Sequence, residues 1–221
     1  MTVEEIYIDI TNQIVNLKML PGEKIKEEDL AKTYNVSRTP IRSTIARLEK
    51  DGLVEVRPKN GTFVTKINPA HLQAFIFIRK AVEEKVLLEL FEKIDLIQIT
   101  RLEVILEKQK EIVDLEPSVE KSRLFLESDN FFHKNIFSFA NKEFVWEEIN
   151  KTQPLFSRLR VIANMRKKVL VSDVYNKHCM MVEAFKNKDK EALIKAYNEH
   201  LDDGFIDIED VQKEHKEYFL W

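Results

Sequence analysis

The sequence lacks several features that define whole classes of protein. Its 221 residues include a single cysteine, Cys179, so no disulfide can form within the chain, and this favours a reducing compartment. No apolar run approaches the roughly 18 residues of a membrane-spanning helix, and residues 1–20 lack the basic-then-apolar order of a signal peptide. We therefore expect a cytoplasmic protein that does not enter the membrane.

Glycine and proline are also scarce, with four and six residues respectively. Both residues favour turns, so their scarcity leaves little room for β-hairpins or long loops. Hydrophobic residues make up 44% of the chain and charged residues 33%, which is enough apolar material for a sizeable core in one or two domains. The composition therefore predicts a mainly α fold.

Three short helices and one hairpin are predicted within the first 66 residues. Isoleucines recur at helical spacing before the Pro21-Gly22 turn, a second helix is expected at about 27–34, and a third ends near Asp51. The segments LVEV and TFVTKI then alternate apolar and polar residues around Asn60-Gly61, which favours a hairpin turn. This order predicts a winged helix-turn-helix domain with a small β-hairpin wing.

The start of the third helix is basic. Arg38 and Arg42 lie one turn apart on one face, with hydroxyl side chains beside them, and Arg47 lies farther along. Guanidinium groups suit guanine edges and phosphates, and a helix N-terminus favours phosphate. Residues 36–66 carry seven Lys or Arg against three acids, for a net charge of +4, whereas the other 190 residues carry −7. This local charge predicts DNA contact, with a solvated helix face as the alternative.

Residues 20–64 resemble the DNA-binding domain of the GntR family of bacterial transcription regulators. The resemblance covers the LPG turn, the VSRTP helix start, the leucine-glutamate pair followed by glycine-leucine, and the wing glycine. It implies contact with double-stranded DNA through Ser37, Arg38, Thr39 and Arg42 of the third helix and through a wing tip at Asn60 and Gly61.

One position departs from the family pattern. Some relatives have a basic residue on the second helix that contacts phosphate, and this chain has Glu28 there. Lys26 is a candidate to replace that contact.

Beyond the first domain the pattern changes to long helices with almost no glycine. We predict a boundary between a DNA-binding domain at 1–67 and an all-α six-helix bundle at 68–221. The final segment either extends the last helix or frays, and its Phe219 and Trp221 are candidates to pack on a partner. The predicted helices span about 69–93, 95–115, 118–140, 142–163, 168–187 and 189–211.

Three of the five histidines are placed to face the interior of this bundle. His133 follows Asp129 by four residues, so both lie on one helix face, and His178 and His200 each lie near the inward side of a later helix. One carboxylate and three imidazoles suit Zn, Ni, Mn or Fe, with further positions open to a ligand. The spacing also fits a salt bridge and hydrogen-bonded core histidines. His71 and His215 are interpreted as surface residues, and Cys179 as a packing residue.

Residues 72–201 resemble the all-helical FCD effector domain that many GntR-family proteins carry. The similar segments are RKAVEEKVLLEL, DNFFHKNIFSFANKEF and the stretch from His178 to His200. The resemblance implies a divalent metal held by Asp129, His133, His178 and His200. Six helices and the short total length resemble the VanR-type branch more than the FadR-type branch, which lacks this ligand set.

The resemblance also implies a pocket for a small organic acid above the metal, with Arg79 holding the effector carboxylate. A helix-surface arginine paired with Glu83 is the alternative for Arg79. Arg123, Arg158 and Arg160 are further arginines that no spacing rule singles out.

Together these features predict a homodimeric transcription regulator that reads a palindromic operator and responds to a small carboxylate, and not an enzyme. The main alternative is a regulator for which the metal ion is itself the signal. A metalloenzyme is a weaker alternative, because no general base or nucleophile motif accompanies the histidines. A purely structural metal also remains open.

Overall fold

A computed structural model describes residues 1–116, 118–151, 153–165, 171–203 and 208–220 of the chain. The described residues form two compact units. The first contains residues 1–72, 151–161 and 209–221, and the second contains residues 73–150 and 162–208. The helix breaks predicted near Pro117 and Arg166, the side chain of Arg160, and Trp221 lie outside the described residues.

The first unit begins with the predicted helix-turn-helix and wing. Its helices are α1 (Val3–Val15), α2 (Glu27–Thr33) and α3 (Arg38–Lys50). Its strands are β1 (Lys24–Ile25), β2 (Val54–Arg57) and β3 (Gly61–Val64), in an antiparallel sheet of order β1-β3-β2. The hairpin was predicted, but β1 was not, because two residues are too short to show a strand pattern.

An apolar cluster holds this unit together. The α1 helix begins with a capping box between Thr2 and Glu5, and its isoleucines lie one turn apart on one buried face. The buried stripe of α3 packs on that face, so the first helix supports the third. The fully buried members of the two helices are Ile6, Ile10, Ile14, Ile41 and Leu48.

Eight helices follow residue 68 within the described part of the chain. The predicted helix at 142–163 is two helices, and the last predicted helix ends earlier and is followed by a short one. The mainly α fold class is therefore confirmed, while the predicted count of six helices is wrong. The helices are α4 (Pro69–Phe91), α5 (Leu96–Val113), α6 (Val119–Phe139), α7 (Glu143–Asn150), α8 (Gln153–Met165), α9 (Val171–Asn187), α10 (Lys190–Asp203) and α11 (Ile208–Glu214).

The second unit has its own core. In it α9 packs along α10 and α5, and α5 packs along α6. Phe132, Phe137, Phe185 and Tyr197 are among its fully buried side chains. None of the described helices is long and apolar enough to cross a membrane.

The C-terminal tail belongs to the first unit. After a short 3-10 helix at Lys216–Tyr218, the backbone of Ile67 donates to Tyr218 O at 2.8 Å and accepts from Leu220 N at 2.9 Å. Phe219 is 1% exposed, so it packs within the chain and is not presented to a partner.

The α1 core gives a matched test of this packing. Ile10→Ala should lower the free energy of unfolding by about 2–5 kcal/mol, because the side chain is fully buried and leaves a cavity. Ile8→Ala, on the 49% exposed side of the same helix, should change it by less than about 0.5 kcal/mol. Urea unfolding measures both, and equal losses would contradict the packing described.

Candidate metal centre and nucleic-acid interface

Four predicted ligand residues meet in the core of the second unit. Asp129 and His133 lie one turn apart on α6, His178 lies on α9, and His200 lies on α10. All four are at most 3% exposed, and one donor atom from each lies within 4.8 Å of the others. The structure therefore brings together the complete set that the sequence predicted.

The neighbours of two imidazoles orient their rings toward the centre. His178 Nδ1 lies 2.9 Å from Gln109 Oε1, and His133 Nδ1 lies 3.0 Å from Glu83 Oε2. Because Gln109 Oε1 accepts, His178 Nδ1 carries the proton and its Nε2 faces the centre, and the Glu83 carboxylate beside Nδ1 of His133 favours the same orientation. Metal-binding histidines are oriented in this way by their outer hydrogen-bond partners.

The separations between the donors fit a transition metal. The Nε2 atoms of His133 and His200 are 3.0 Å apart, and Asp129 Oδ1 lies 3.5 Å from His178 Nε2 and 3.7 Å from His200 Nε2. Ligands about 2.1 Å from one ion lie about 3.0–3.4 Å apart in adjacent positions and up to about 4.2 Å apart in opposite positions. Because carboxylate and imidazole acceptors face each other here, a cation suits the centre.

Arg79 lies in a buried chain of charges attached to this centre. It forms an ion pair with Glu83 on the same helix, and Glu83 contacts His133. Burial would raise the pKa of Glu83, but Arg79 and His133 lower it overall to about 2. Arg79 is 5% exposed, and its Nη2 has no hydrogen-bond partner in the described part of the chain. The arginine is thus paired with Glu83, as the alternative held, but it is not on the surface.

The basic helix start lies on the surface of the first unit. Ser37 is the N-cap of α3 but makes no capping hydrogen bond through its side chain, so its hydroxyl is available to a ligand. Arg38 Nη2 lies 2.6 Å from Glu28 Oε1, and Arg42 Nε lies 3.0 Å from Glu27 Oε2. Both arginines are more than half exposed. Acidic residues of α2 therefore form ion pairs with both guanidinium groups.

Arg47 and the wing are placed differently. Arg47 forms an ion pair with Glu4, and its guanidinium carbon lies 3.7 Å from the centre of the Tyr7 ring, so it contacts α1. Asn60 and Gly61 are exposed at the hairpin turn, and Gly61 has a φ of 110°, which favours glycine. Because β1 pairs with β3, Lys24 lies opposite Phe63, beside the hairpin that forms the wing.

Comparison with known families now identifies the chain. The model described as "Bacterial regulatory proteins, gntR family" matches residues 2–64, and that of the FCD domain matches residues 75–203, more than half of the chain. The chain belongs to the GntR family of transcription regulators and carries an FCD domain.

Similar proteins agree with this assignment. The regulator is 26% identical over 221 residues to the HTH-type transcriptional repressor RspR of Escherichia coli K12, covering 98% of this chain and 92% of that protein. It is 28% identical over 216 residues to an uncharacterized HTH-type regulator of Streptomyces ambofaciens, with 97% and 88% covered. The structure of E. coli McbR/YncC has the same fold, with a TM-score of 0.70, 18% identity, and 96% and 98% of the chains covered.

These findings settle the general function. The protein is a DNA-binding transcription regulator with an effector domain, and the prediction that it is not an enzyme is confirmed because both families and the relatives are regulators. The eight described helices do not match the count of six that favoured the VanR-type branch, whereas the short chain and the presence of the four candidate ligands still resemble it. The predicted boundary at residue 67 lies between the two family matches and remains a prediction.

Two residues that orient the histidines were missed from the sequence. Gln109 is the one polar member of the buried stripe of α5, and this isolated amide was a usable signal. Glu83 was considered only as a surface partner of Arg79, because nothing in its local sequence shows that α4 carries it to His133.

The acidic residues of α2 lead to a prediction about DNA affinity. Glu28→Gln should strengthen binding to an operator by up to about fivefold, because an exposed ion pair contributes about 0.2–1 kcal/mol and its loss frees Arg38 for DNA. Fluorescence anisotropy with labelled duplex at two salt concentrations measures the change. Glu55→Gln, which frees the wing residue Arg57, is a control of the same charge change. Weaker binding by Glu28→Gln would contradict this account.

The buried His200 leads to a prediction about pH. Burial, together with His178, lowers the pKa of His200 well below its usual range, so the folded metal-free protein keeps it neutral. Its unfolded pKa is about 6.5. The unfolded chain therefore takes up the proton first, and the contribution of His200 to stability is present above about pH 6.5 and lost below it.

Thermal unfolding of metal-free protein across this range measures the effect. His200→Gln should show a smaller fall in Tm with decreasing pH than the parent, and His215→Gln, at a partly exposed histidine, should keep the parent slope. Identical slopes in all three proteins would exclude His200 as the source.

Proposed function

We propose that this regulator senses a small organic acid at a divalent transition metal in its FCD domain. Asp129, His133, His178 and His200 would hold the ion, which is Zn, Ni, Mn or Fe by the chemistry of the donors. The observation that supports this proposal most directly is that a carboxylate and three imidazoles converge in a buried place with two imidazoles oriented from behind.

The metal, when bound, supplies a Lewis-acidic position that accepts an effector carboxylate. Arg79 supports the effector reading, because its buried Nη2 has hydrogen-bonding capacity that the described residues leave unused. Glu83 positions both groups: it pairs with Arg79 and contacts His133 Nδ1. An acid bound here would therefore interact with a network that joins α4 to α6.

We propose further that the protein works as a homodimer on a palindromic operator. One helix-turn-helix reads a half-site, and two related by a two-fold axis read both halves. Ser37, Arg38, Thr39 and Arg42 would contact DNA from α3, Asn60 and Gly61 from the wing, and Arg47 once released from Glu4. Because its target is DNA, we expect it to act in the cytoplasm. The effector changes operator affinity only by as much as it prefers one conformation of the dimer.

Metal content and acid binding test this proposal on the full chain. Mass spectrometry should find about one transition metal per chain in the parent and in His215→Ala, and strongly reduced metal in His178→Ala, which removes a ligand. A thermal-shift screen of small carboxylic acids should then show stabilisation of about 3 kcal/mol at a hundredfold excess over Kd, only in the metal-loaded parent. Arg79→Gln should keep the metal and lose this response.

Operator affinity distinguishes the two proposed signals. A duplex selected from a random pool by the parent serves as the probe, and anisotropy measures Kd with and without acid and metal. If metal alone changes the affinity and no acid does, the ion is the signal. If the protein takes up no metal under any loading condition, the proposed centre is wrong.

A further inference from the structure

A second arginine lies buried in the first unit. Arg158, on α8, is 1% exposed. Its Nη1 donates to Thr65 O at 2.6 Å and its Nη2 lies 3.4 Å from Thr65 Oγ1. Among the residues that the structure describes, its buried Nε has no hydrogen-bond acceptor. Within the same residues, no carboxylate forms an ion pair with this guanidinium.

Such a group is costly to bury. A charge removed from water is destabilising unless an opposite charge and hydrogen bonds compensate for it. Burial lowers the pKa of Arg158 to about 10, which still leaves the guanidinium charged at neutral pH. The other deeply buried arginine, Arg79, is compensated by Glu83. Arg158 has two contacts to one neutral residue instead, so an anion is the missing partner.

A cavity of about 270 Å³ lies beside this guanidinium. Arg158, Lys66 and His71 contribute to its wall, and Lys66 makes no ion pair with any described residue. Most of the remaining wall is apolar and comes from Ile67, Leu155, Phe156 and Leu220. Ligand pockets usually measure about 300–1,000 Å³. The volume of this cavity lies just below that range, so it suits only a small molecule.

We propose that this cavity is a binding site for a small organic carboxylate with an apolar body. The carboxylate would accept from Arg158 Nε and pair with Lys66, and the apolar body would pack against Leu155 and Leu220. All these residues belong to the first unit, whereas the metal centre belongs to the second, so the site is separate from the proposed effector site.

The site has a direct connection to the DNA-reading helix. Thr65, which Arg158 holds, donates through Oγ1 to Gly52 O at 2.7 Å and through its backbone N–H to Leu53 O at 3.0 Å. Gly52 directly follows the C-cap of α3. A carboxylate on Arg158 therefore acts on the hydrogen bonds that fix the end of α3 and the start of β2.

Fluorine NMR on the full chain tests the proposal with 4-fluorobenzoate as the probe. The titration is done with metal-loaded protein and with chelator present, so that binding at the metal centre is separated from binding here. We expect saturable binding that persists without metal. The neutral 4-fluorobenzamide should bind at least about tenfold more weakly, because it cannot form charge-assisted hydrogen bonds.

Variants locate the binding. Arg158→Gln should weaken 4-fluorobenzoate binding at least about tenfold and Lys66→Gln by a few fold. Arg123→Gln makes the same change at a partly exposed arginine of the second unit and should have no effect. Leu220→Trp, at a half-exposed position, should block the cavity and keep the proposal testable if Arg158→Gln does not fold.

Several results would overturn the proposal. Equal binding of benzoate and benzamide, or undiminished binding to the Arg158 and Leu220 variants, would mean that the cavity does not recognise the carboxylate. Binding that disappears with the metal would assign the probe to the other centre. No binding of fluorobenzoate, butyrate or acetate in the millimolar range would also exclude the site.

Discussion

The second unit depends on one constraint: the carboxylate and imidazoles that meet in its core must be compensated there, away from water. Asp129 and the Nε2 atoms of His133, His178 and His200 face each other where water is excluded. A carboxylate buried in a low-dielectric interior is destabilising unless hydrogen bonds or an opposite charge compensate it. The hydrogen bond that His178 donates to Gln109 and the contact of His133 with Glu83 orient two of the imidazoles. The helices α6, α9 and α10 meet at this centre, where the proposed cation would supply the opposite charge.

The same constraint explains the charges around the centre. Glu83 is nearly fully buried, yet Arg79 and His133 compensate it so well that its pKa falls to about 2. Among the described residues, Arg79 Nη2 has no hydrogen-bond partner. A buried ion pair interacts strongly with the groups beside it, because little solvent screens it. An anion added at Arg79 would therefore act on the Glu83 carboxylate, which lies next to His133.

The sequence predicted the features that depend only on residues close together along the chain. The four-residue separation of Asp129 and His133, the stripe on α3 and the Asn60-Gly61 turn were all visible in the sequence. The partners brought from other helices were not: Gln109 and Glu83 act because tertiary packing places them behind the histidines. The division of the predicted helix at 142–163 was missed although Pro154, in the first turn of α8, was a usable signal for a new helix. The strand β1 was missed because it exists only through its pairing with β3.

The exposed and buried arginines differ in how easily another anion can replace their carboxylate partners. Arg38 and Arg42 pair with Glu28 and Glu27 in water, where an ion pair contributes about 0.2–1 kcal/mol, so a DNA phosphate can replace the carboxylate at little cost. Separating the buried Arg79 from Glu83 would leave two uncompensated charges, which costs several kcal/mol. The arginines on the surface of α3 are therefore suited to reversible ion pairing, whereas the buried Arg79 is held in a fixed arrangement. This difference in solvation lets one chain combine exchangeable surface charges with a fixed internal charge pair.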